Sequence, residues 1–410
     1  MRIYWDVFMM ALSALKANKL RSGLTLLGVI IGVTSVITII SALEGLSQSI
    51  EAEINKMGPT TFMVTRMGMI FSEEEFFEAI RRRPMKIEYM EAIEEGCEYC
   101  EKVAARTYTM VNVKYQNKKI SRLFGIAATA NFIDIVEYEV GQGRFFSQEE
   151  DHNRRRVAFI GTAIQDELFP NVDPIGKDIK INNIRYEVIG IAKKQGASFG
   201  HNQDLVVFIP LSTYAKDFGT SRRRLRNLAI LVKAQSLELL DQAMDQTRVI
   251  LRAYRHVPYD KDDDFSMLTA DTIMDALNRV TKFLRLGLIG VTSISLIVGG
   301  IIIMNIMMVS VTERTREIGI RKSIGARRRD ILLQFLYEAL VLSLGGGLIG
   351  IAFGVFLGDV LIGLINMDMT PSLYAIAIGL GISTGVGLFF GIYPAMKASR
   401  MQPVKALSYE

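Results

Sequence analysis

Few residues of this 410-residue chain are arranged for chemistry. Its two cysteines, Cys97 and Cys100, form a C-x-x-C. That spacing serves dithiol exchange in a thioredoxin-like setting, which is absent here, and otherwise gives a local disulfide or two unrelated thiols. His152, His201 and His256 lie far apart with no ligand spacing, so no metal site is expected. Neither H-E-x-x-H nor the phosphate loop G-x-x-x-x-G-K-[ST] occurs, and no aspartate sits inside a long apolar run. The expectation is a non-catalytic chain that binds no cofactor itself. Nothing points to nucleic acid.

The chemistry-bearing stretch is instead a run of charge, Thr312 to Asp330. Glu313 and Arg316 are three apart, and Glu317 and Arg321 four apart. Both spacings place opposite charges side by side on a helix. Gly325 stops the pattern as a helix end does. A short charged helix of this kind is suited to dock into a cleft of a partner.

The elements that must hold this helix are long and apolar. The chain is 50% hydrophobic with mean hydropathy +0.24, yet 22% of its residues are charged, so the apolar residues must be concentrated in segments. Four charge-free stretches reach the roughly 20 residues that a bilayer core requires: Leu24–Leu43, Leu286–Val311, Ala339–Gly358 and Tyr374–Met396. Lysine and arginine in the short flanks set the orientation. Arg2, Lys16, Lys19 and Arg21 precede the first span. Arg314, Arg316, Arg321, Lys322 and Arg327–Arg329 lie between the second and third, and Lys397, Arg400 and Lys405 follow the fourth. The loop Asp359–Leu373 has none, only Asp359 and Asp368. Both termini and the charged loop are therefore expected to be cytoplasmic, with residues 44–283 outside the cell (inner) membrane.

Residues 1–20 do not read as a signal peptide, since they carry Asp6, Lys16 and Lys19. Ile3, Val7, Met10 and Ala14 suggest an amphipathic helix lying against membrane lipids. Glycines stripe the spans. Gly28 and Gly32 mark span one; Gly346, Gly350, Gly354 and Gly358 mark span three; Gly381 with Gly385 and Gly387 with Gly391 mark span four. Such spacing lets helix backbones approach closely, within the chain or across a dimer. Asn305 and Glu338 are polar in or beside spans. The first could bond across helices, and the second is either functional or able to reach the interface.

The long segment between spans one and two reads as α+β. Strand patterns cover Thr61–Arg66, Val103–Tyr108, Ile120–Ile126, Val157–Ile160, Arg185–Ile191, Leu205–Ile209 and Leu228–Val232. Helical patterns cover Glu73–Arg82, Ile87–Cys97, Ala163–Leu168 and Leu237–His256. Asp271–Phe283 continues without a breaker into span two, and Ser41–Ile54 out of span one, so each predicts one continuous helix. The triplets Arg81–Arg83, Arg154–Arg156 and Arg222–Arg224 read by default as solvated loops.

Several stretches resemble the MacB/FtsX-like permease family. In the membrane half these are Asn18-Lys19-Leu20-Arg21-Ser22 with Leu27–Val33, Met304-Asn305-Ile306-Met307, Glu313-Arg314-Thr315-Arg316-Glu317-Ile318-Gly319 with Gly325-Ala326, Gly391-Ile392-Tyr393-Pro394-Ala395 and Pro403–Leu407. Outside it, Leu168-Phe169-Pro170 and Asp173-Pro174-Ile175-Gly176-Lys177 are similar to the MacB-type periplasmic core domain. Met67–Pro84, with Glu73-Glu74-Glu75, departs from the family's pattern. The resemblance implies a division into residues 1–20, a first span and stalk at 21–47, a core domain at 48–283, a permease domain at 284–400 and a tail at 401–410. It implies that Glu313, Arg314, Arg316, Glu317, Ile318, Gly319, Arg321, Lys322, Gly325 and Ala326 meet an ABC ATPase. That ATPase would be a separate chain that uses the ATP. A second permease chain, identical or a paralogue, is implied, and a periplasmic adaptor is compatible. The implied activity is mechanotransmission for export or efflux. The alternatives are an FtsX-like regulator of an outer partner and a lipoprotein-releasing permease.

Overall fold

The computed structural model describes residues 19–55, 57–136, 138–198, 201–219, 227–365 and 373–407. The N-terminal amphipathic pattern, Arg222–Arg224 and Asp368 lie outside these. The chain divides into two compact units, Gln48–Arg279 and the combination of Met1–Ser47 with Val280–Glu410. The dividing lines fall within two unbroken helices, the first and the ninth below.

The elements run α1 (Lys19–Asn55), β1 (Thr61–Thr65), α2 (Glu73–Arg81), α3 (Ile87–Gly96), β2 (Cys100–Tyr115), β3 (Lys118–Ala128), α4 (Phe132–Ile135), β4 (Val140–Gly143), α5 (Gln148–His152) and β5 (Val157–Ile160). Next come α6 (Thr162–Leu168), β6 (Asp178–Ile181), β7 (Ile184–Ala192), β8 (Ala197–Ser198), β9 (His201–Asn202), β10 (Val206–Pro210), α7 (Leu211–Phe218), β11 (Ala229–Ala234) and α8 (Leu240–Tyr254). The chain closes with β12 (Ser266–Thr269), α9 (Ala270–Glu313), α10 (Thr315–Ser323), α11 (Arg328–Ile365), α12 (Leu373–Arg400) and α13 (Pro403–Leu407).

The α+β unit is built on one sheet in the order β12-β1-β11-β2-β3-β10-β5-β7-β4, with β6 pairing β2 and β7. Among the described residues, only β3 with β10 and β5 with β7 run parallel. The sheet buries both faces. In β11, Ile230 and Val232 enter a core with Phe62, Ile93 and Leu251, while Leu231 enters another with Phe132, Phe159 and Phe208. In β2, Val103 and Ala105 join the first core and Ala104 the second. The two-residue period of a strand deals successive side chains to opposite faces, which is why these strands read as unbroken apolar runs. Asn182 and Asn183, both at positive φ (46° and 72°), make the tight turn between β6 and β7. Cys97, at the end of α3, is disulfide-bonded to Cys100, at the start of β2, so the structure selects the local disulfide.

A capping box starts α5. The Glu150 amide donates to Ser147 Oγ at 3.2 Å and the Ser147 amide donates to Glu150 Oε2 at 3.0 Å. Arg144 then clamps the same carboxylate through both terminal nitrogens at 2.7 and 2.8 Å. The guanidinium pulls the Glu150 carboxyl down to about 2 against the opposing effect of burial, and the Ser147 amide assists. A depressed folded-state value means stability that is present above the unfolded value and lost as pH falls towards the folded one. Between about pH 5 and pH 2 the wild type should therefore shed roughly 1–2 kcal/mol that Glu150→Gln, already weaker at neutral pH, does not shed. Parallel acid titrations of the two proteins, followed by far-UV circular dichroism, check this. Identical curves would remove the clamp from the stability of this unit.

The second unit holds the spans. Among the described residues, four helices are long and apolar enough to cross a membrane: Leu26–Glu51, Ala270–Glu313, Arg328–Val360 and Leu373–Arg400. The protein is thus a multi-pass membrane protein with its α+β domain between the first and second spans, as the sequence predicts.

Candidate functional site

The charged stretch folds as a helix–break–helix at one end of the spans. Helix α9 ends at Glu313, and Arg314 turns the chain (φ −101°, ψ 15°) into α10. Thr315 Oγ1 donates to Thr312 O at 2.8 Å and Val311 O at 3.1 Å, which occupies carbonyls left open where α9 stops. The far end is closed by paired turns. The Ala326 amide donates to Arg321 O at 3.0 Å and the Gly325 amide to Lys322 O at 3.1 Å, with Gly325 at φ +106°. This is a Schellman ending, and a side chain at Gly325 would strain it. Helix α11 begins at once, with the Arg327 amide donating to Asp330 Oδ2 at 3.0 Å.

Two faces of α10 do different things. Thr315, Ile318 and Gly319 are buried. Ile318, only 3% exposed, packs into a core with Ile331, Phe335, Ala395 and Ala398. Three of the predicted cations also turn inward. Arg314 pairs with Glu338 at 3.2 Å. Arg321 donates to Glu317 at 2.5 Å and to Gln334 at 2.6 Å. Lys322 Nζ donates to Ser399 O at 2.5 Å and Met401 O at 2.7 Å, and burial, then nearby Arg328, lowers its pKa. These groups position the helix. Glu313, Arg316, Glu317 and Gly325 are exposed, and Ala326 is half-buried against the same core. The Glu317–Arg321 spacing gives the pair it predicts. The Glu313–Arg316 spacing does not place both on one helix, because the break at Arg314 leaves Glu313 on α9 and Arg316 on α10.

Sequence spacing alone passed over Ile320 and Ile324, which are 45% and 82% exposed. They are four apart, as neighbours on one helix face are, and out of phase with buried Ile318. That phase difference within a charged helix is the signal that could have found them. An apolar ridge flanked by exposed charges is suited to insert into a cleft.

Behind the site, the glycines set the packing of the spans. A methyl group on Gly28 would lie 2.8 Å from Gly299 Cα, and one on Gly32 the same distance from Leu296 Cδ2, so span one presses on span two. Methyls on Gly346, Gly350 and Gly354 would lie 3.0 Å from the Cβ atoms of Val29, Val33 and Ile37 respectively. Thr34 Oγ1 donates to Gly350 O at 2.9 Å and Thr38 Oγ1 to Gly354 O at 3.4 Å across the same seam. Methyls on Gly358, Gly381 and Gly385 would meet no described atom within 4 Å, whereas one on Gly391 would press on Ala339. Asn305 is exposed.

Residues 22–250 match the model of the MacB-like periplasmic core domain, and residues 289–403 that of the FtsX-like permease C-terminal region. The macrolide export ATP-binding/permease protein MacB of Bdellovibrio bacteriovorus is 36% identical over 401 residues, covering 97% of this chain and 60% of that protein. The protein of the same name from an Azoarcus species is 37% identical, covering 98% and 59%. This chain thus spans about 60% of the length of these relatives. Among solved structures, the periplasmic region of MacB from Actinobacillus actinomycetemcomitans aligns with a TM-score of 0.46 at 20% identity, over 56% of this chain and 97% of that one. With a MacB-like core domain followed by an FtsX-like membrane region along its length, the chain belongs to the MacB/FtsX-like permease family.

Proposed function

We propose that this chain is the permease subunit of an ABC transporter, and that α10 is the element through which a separate cytoplasmic ATPase drives it. The observation that carries the reading is α9. It is one unbroken helix of 44 residues, about 66 Å long, with α10 hinged directly on its last turn. A push on α10 is passed along a rod rather than absorbed by a loop. The permease then works by mechanotransmission, in which ATP hydrolysis moves the α+β domain and the substrate is exported from the outer side of the membrane. The basic flanks support cytoplasmic termini, a cytoplasmic α10 and an inner-membrane location. A second permease chain completes the complex. This chain supplies no catalytic group of its own; the ATP is bound and cleaved by the partner.

Affinity purification of the full chain in mild detergent tests this. Wild type should bring down an ABC ATPase. Ile324→Asp, which buries a charge on docking, and Glu317→Lys, which reverses an exposed charge, should each weaken capture by about 10–100-fold. Capture unchanged in both variants would remove α10 from the interface. Failure of wild type to capture any ATPase would sink the ATP-driven reading as a whole.

A further inference from the structure

At the end of the spans that carries α10 lies an open cavity of about 730 Å³, lined by Thr312, Tyr393, Met396, Lys397, Arg400 and Met401 among others. Its lining has two characters. Lys397 and Arg400 stand exposed on the last turn of α12, and among the described residues neither is paired with a carboxylate. Tyr393 and Met396 continue the wall one turn back along α12. Phe389, Tyr393 and Lys397 follow at four-residue steps, so they share a helix face, and Phe389 and Tyr393 are 74% and 55% exposed. An apolar stripe that belongs to a span thus ends in two cations that have no carboxylate partner among the described residues.

A helix C-terminus ordinarily repels an anion. Here Lys322 Nζ donates to the carbonyls of Ser399 and Met401, which sets a cation against that negative end. Among the described residues, the charged groups that line the cavity, Lys397 and Arg400, are both positive. Thr312 and Thr315, whose hydroxyls donate to helix carbonyls, complete the lining.

We propose that this cavity binds one anionic phospholipid. Its phosphate sits between Lys397 and Arg400, and an acyl chain lies along Tyr393 and Phe389. A zwitterionic lipid carries no net charge to satisfy the pair, and a free anion gains nothing from the apolar stripe. The bound lipid would bridge the end of α12 to the last turn of α9 at Thr312 and the start of α10 at Thr315. This tie does not depend on an ATPase partner, and the test reads lipid binding alone.

The purified full chain, stripped of loosely held lipid and titrated with phosphatidylglycerol or phosphatidylcholine, is followed by native mass spectrometry. Wild type should retain one phosphatidylglycerol per chain and discriminate against phosphatidylcholine. Lys397→Gln/Arg400→Gln should lower that retention about tenfold or more, whereas Lys397→Arg/Arg400→Lys should preserve it. Arg328→Gln/Arg329→Gln, which removes two cations outside the cavity, should retain lipid as wild type does. Equal retention of both lipids, or equal loss in the two glutamine variants, would show only the general attraction of a basic membrane flank and overturn the proposal. Displacement of phosphatidylglycerol by excess inorganic phosphate would overturn it in favour of a free-anion site.

Discussion

Replacing Arg255 with methionine is expected to destabilise the α+β domain by about 3 kcal/mol or more and to lower its thermal midpoint by roughly 10 °C. Arg255 has no exposed surface. It donates to both carboxylate oxygens of Asp264, at 2.5 and 2.8 Å, and to the carbonyls of Arg83 at 2.9 Å and Asp264 at 3.2 Å. Its guanidinium also lies 5.2 Å from the ring of Tyr89 and 6.0 Å from that of Phe265. Methionine keeps the volume but strands the Arg83 carbonyl and leaves Asp264 with Arg83 at 3.3 Å as its remaining ion pair. Buried acceptors without a donor account for most of the expected cost. Stepwise heating of the full chain with brief proteolysis reads the midpoint. Asp264→Asn, which keeps one acceptor for Arg255, turns the other into an amide donor and removes the charge, should fall between wild type and Arg255→Met. A midpoint unchanged in Arg255→Met would mean that the network does not hold the domain.

The second large effect concerns the seam between α1 and α11. Gly350→Leu should collapse the thermostability of the detergent-solubilised protein, because its Cβ alone would meet Ile30 O and Val33 Cβ at 3.0 Å. A leucine must push the two helices apart and break the bond from Thr34 to Gly350 O, which lies across the contact. Overpacking inside a core costs about 1–3 kcal/mol, and more where the obstacle is backbone. Gly358→Leu, two packing steps further along the same stripe, should be tolerated, since a Cβ there would meet no described atom within 4 Å. Size-exclusion profiles after heating distinguish the two. Equal losses at both sites would implicate a contact with another chain rather than the α1 seam.

The same glycines show how far the sequence could be read. The four-residue stripe was visible, and three of its members pack on span one, but nothing in the spacing says where the seam ends. The arginine triplets went the other way. Read as solvated loops, they are structural in part. Arg82 donates to Ser266 Oγ at 2.8 Å, Arg83 pairs with Asp264, and Arg156 is bidentate on Asp217. Tyr186 donates to that same Asp217 at 2.8 Å. The elements missed by pattern reading are short or irregular. Strands β4, β6 and β12 have four residues each, too few for alternation to stand out, and α7 starts directly after Pro210.

By itself the sequence determined the four spans, the charged helix after span two and the alternation of strands and helices between spans one and two. These follow from local rules: the length of an uncharged run, the spacing of opposite charges, the placement of a glycine. Only the tertiary structure decided that Ile318 is buried while Ile320 and Ile324 project, that Arg314, Arg321 and Lys322 anchor the helix, and that Lys397 and Arg400 border a cavity. Each of those outcomes depends on partners a dozen to eighty residues away. A contact of that range is set by how whole helices pack, and no window of neighbouring residues encodes it.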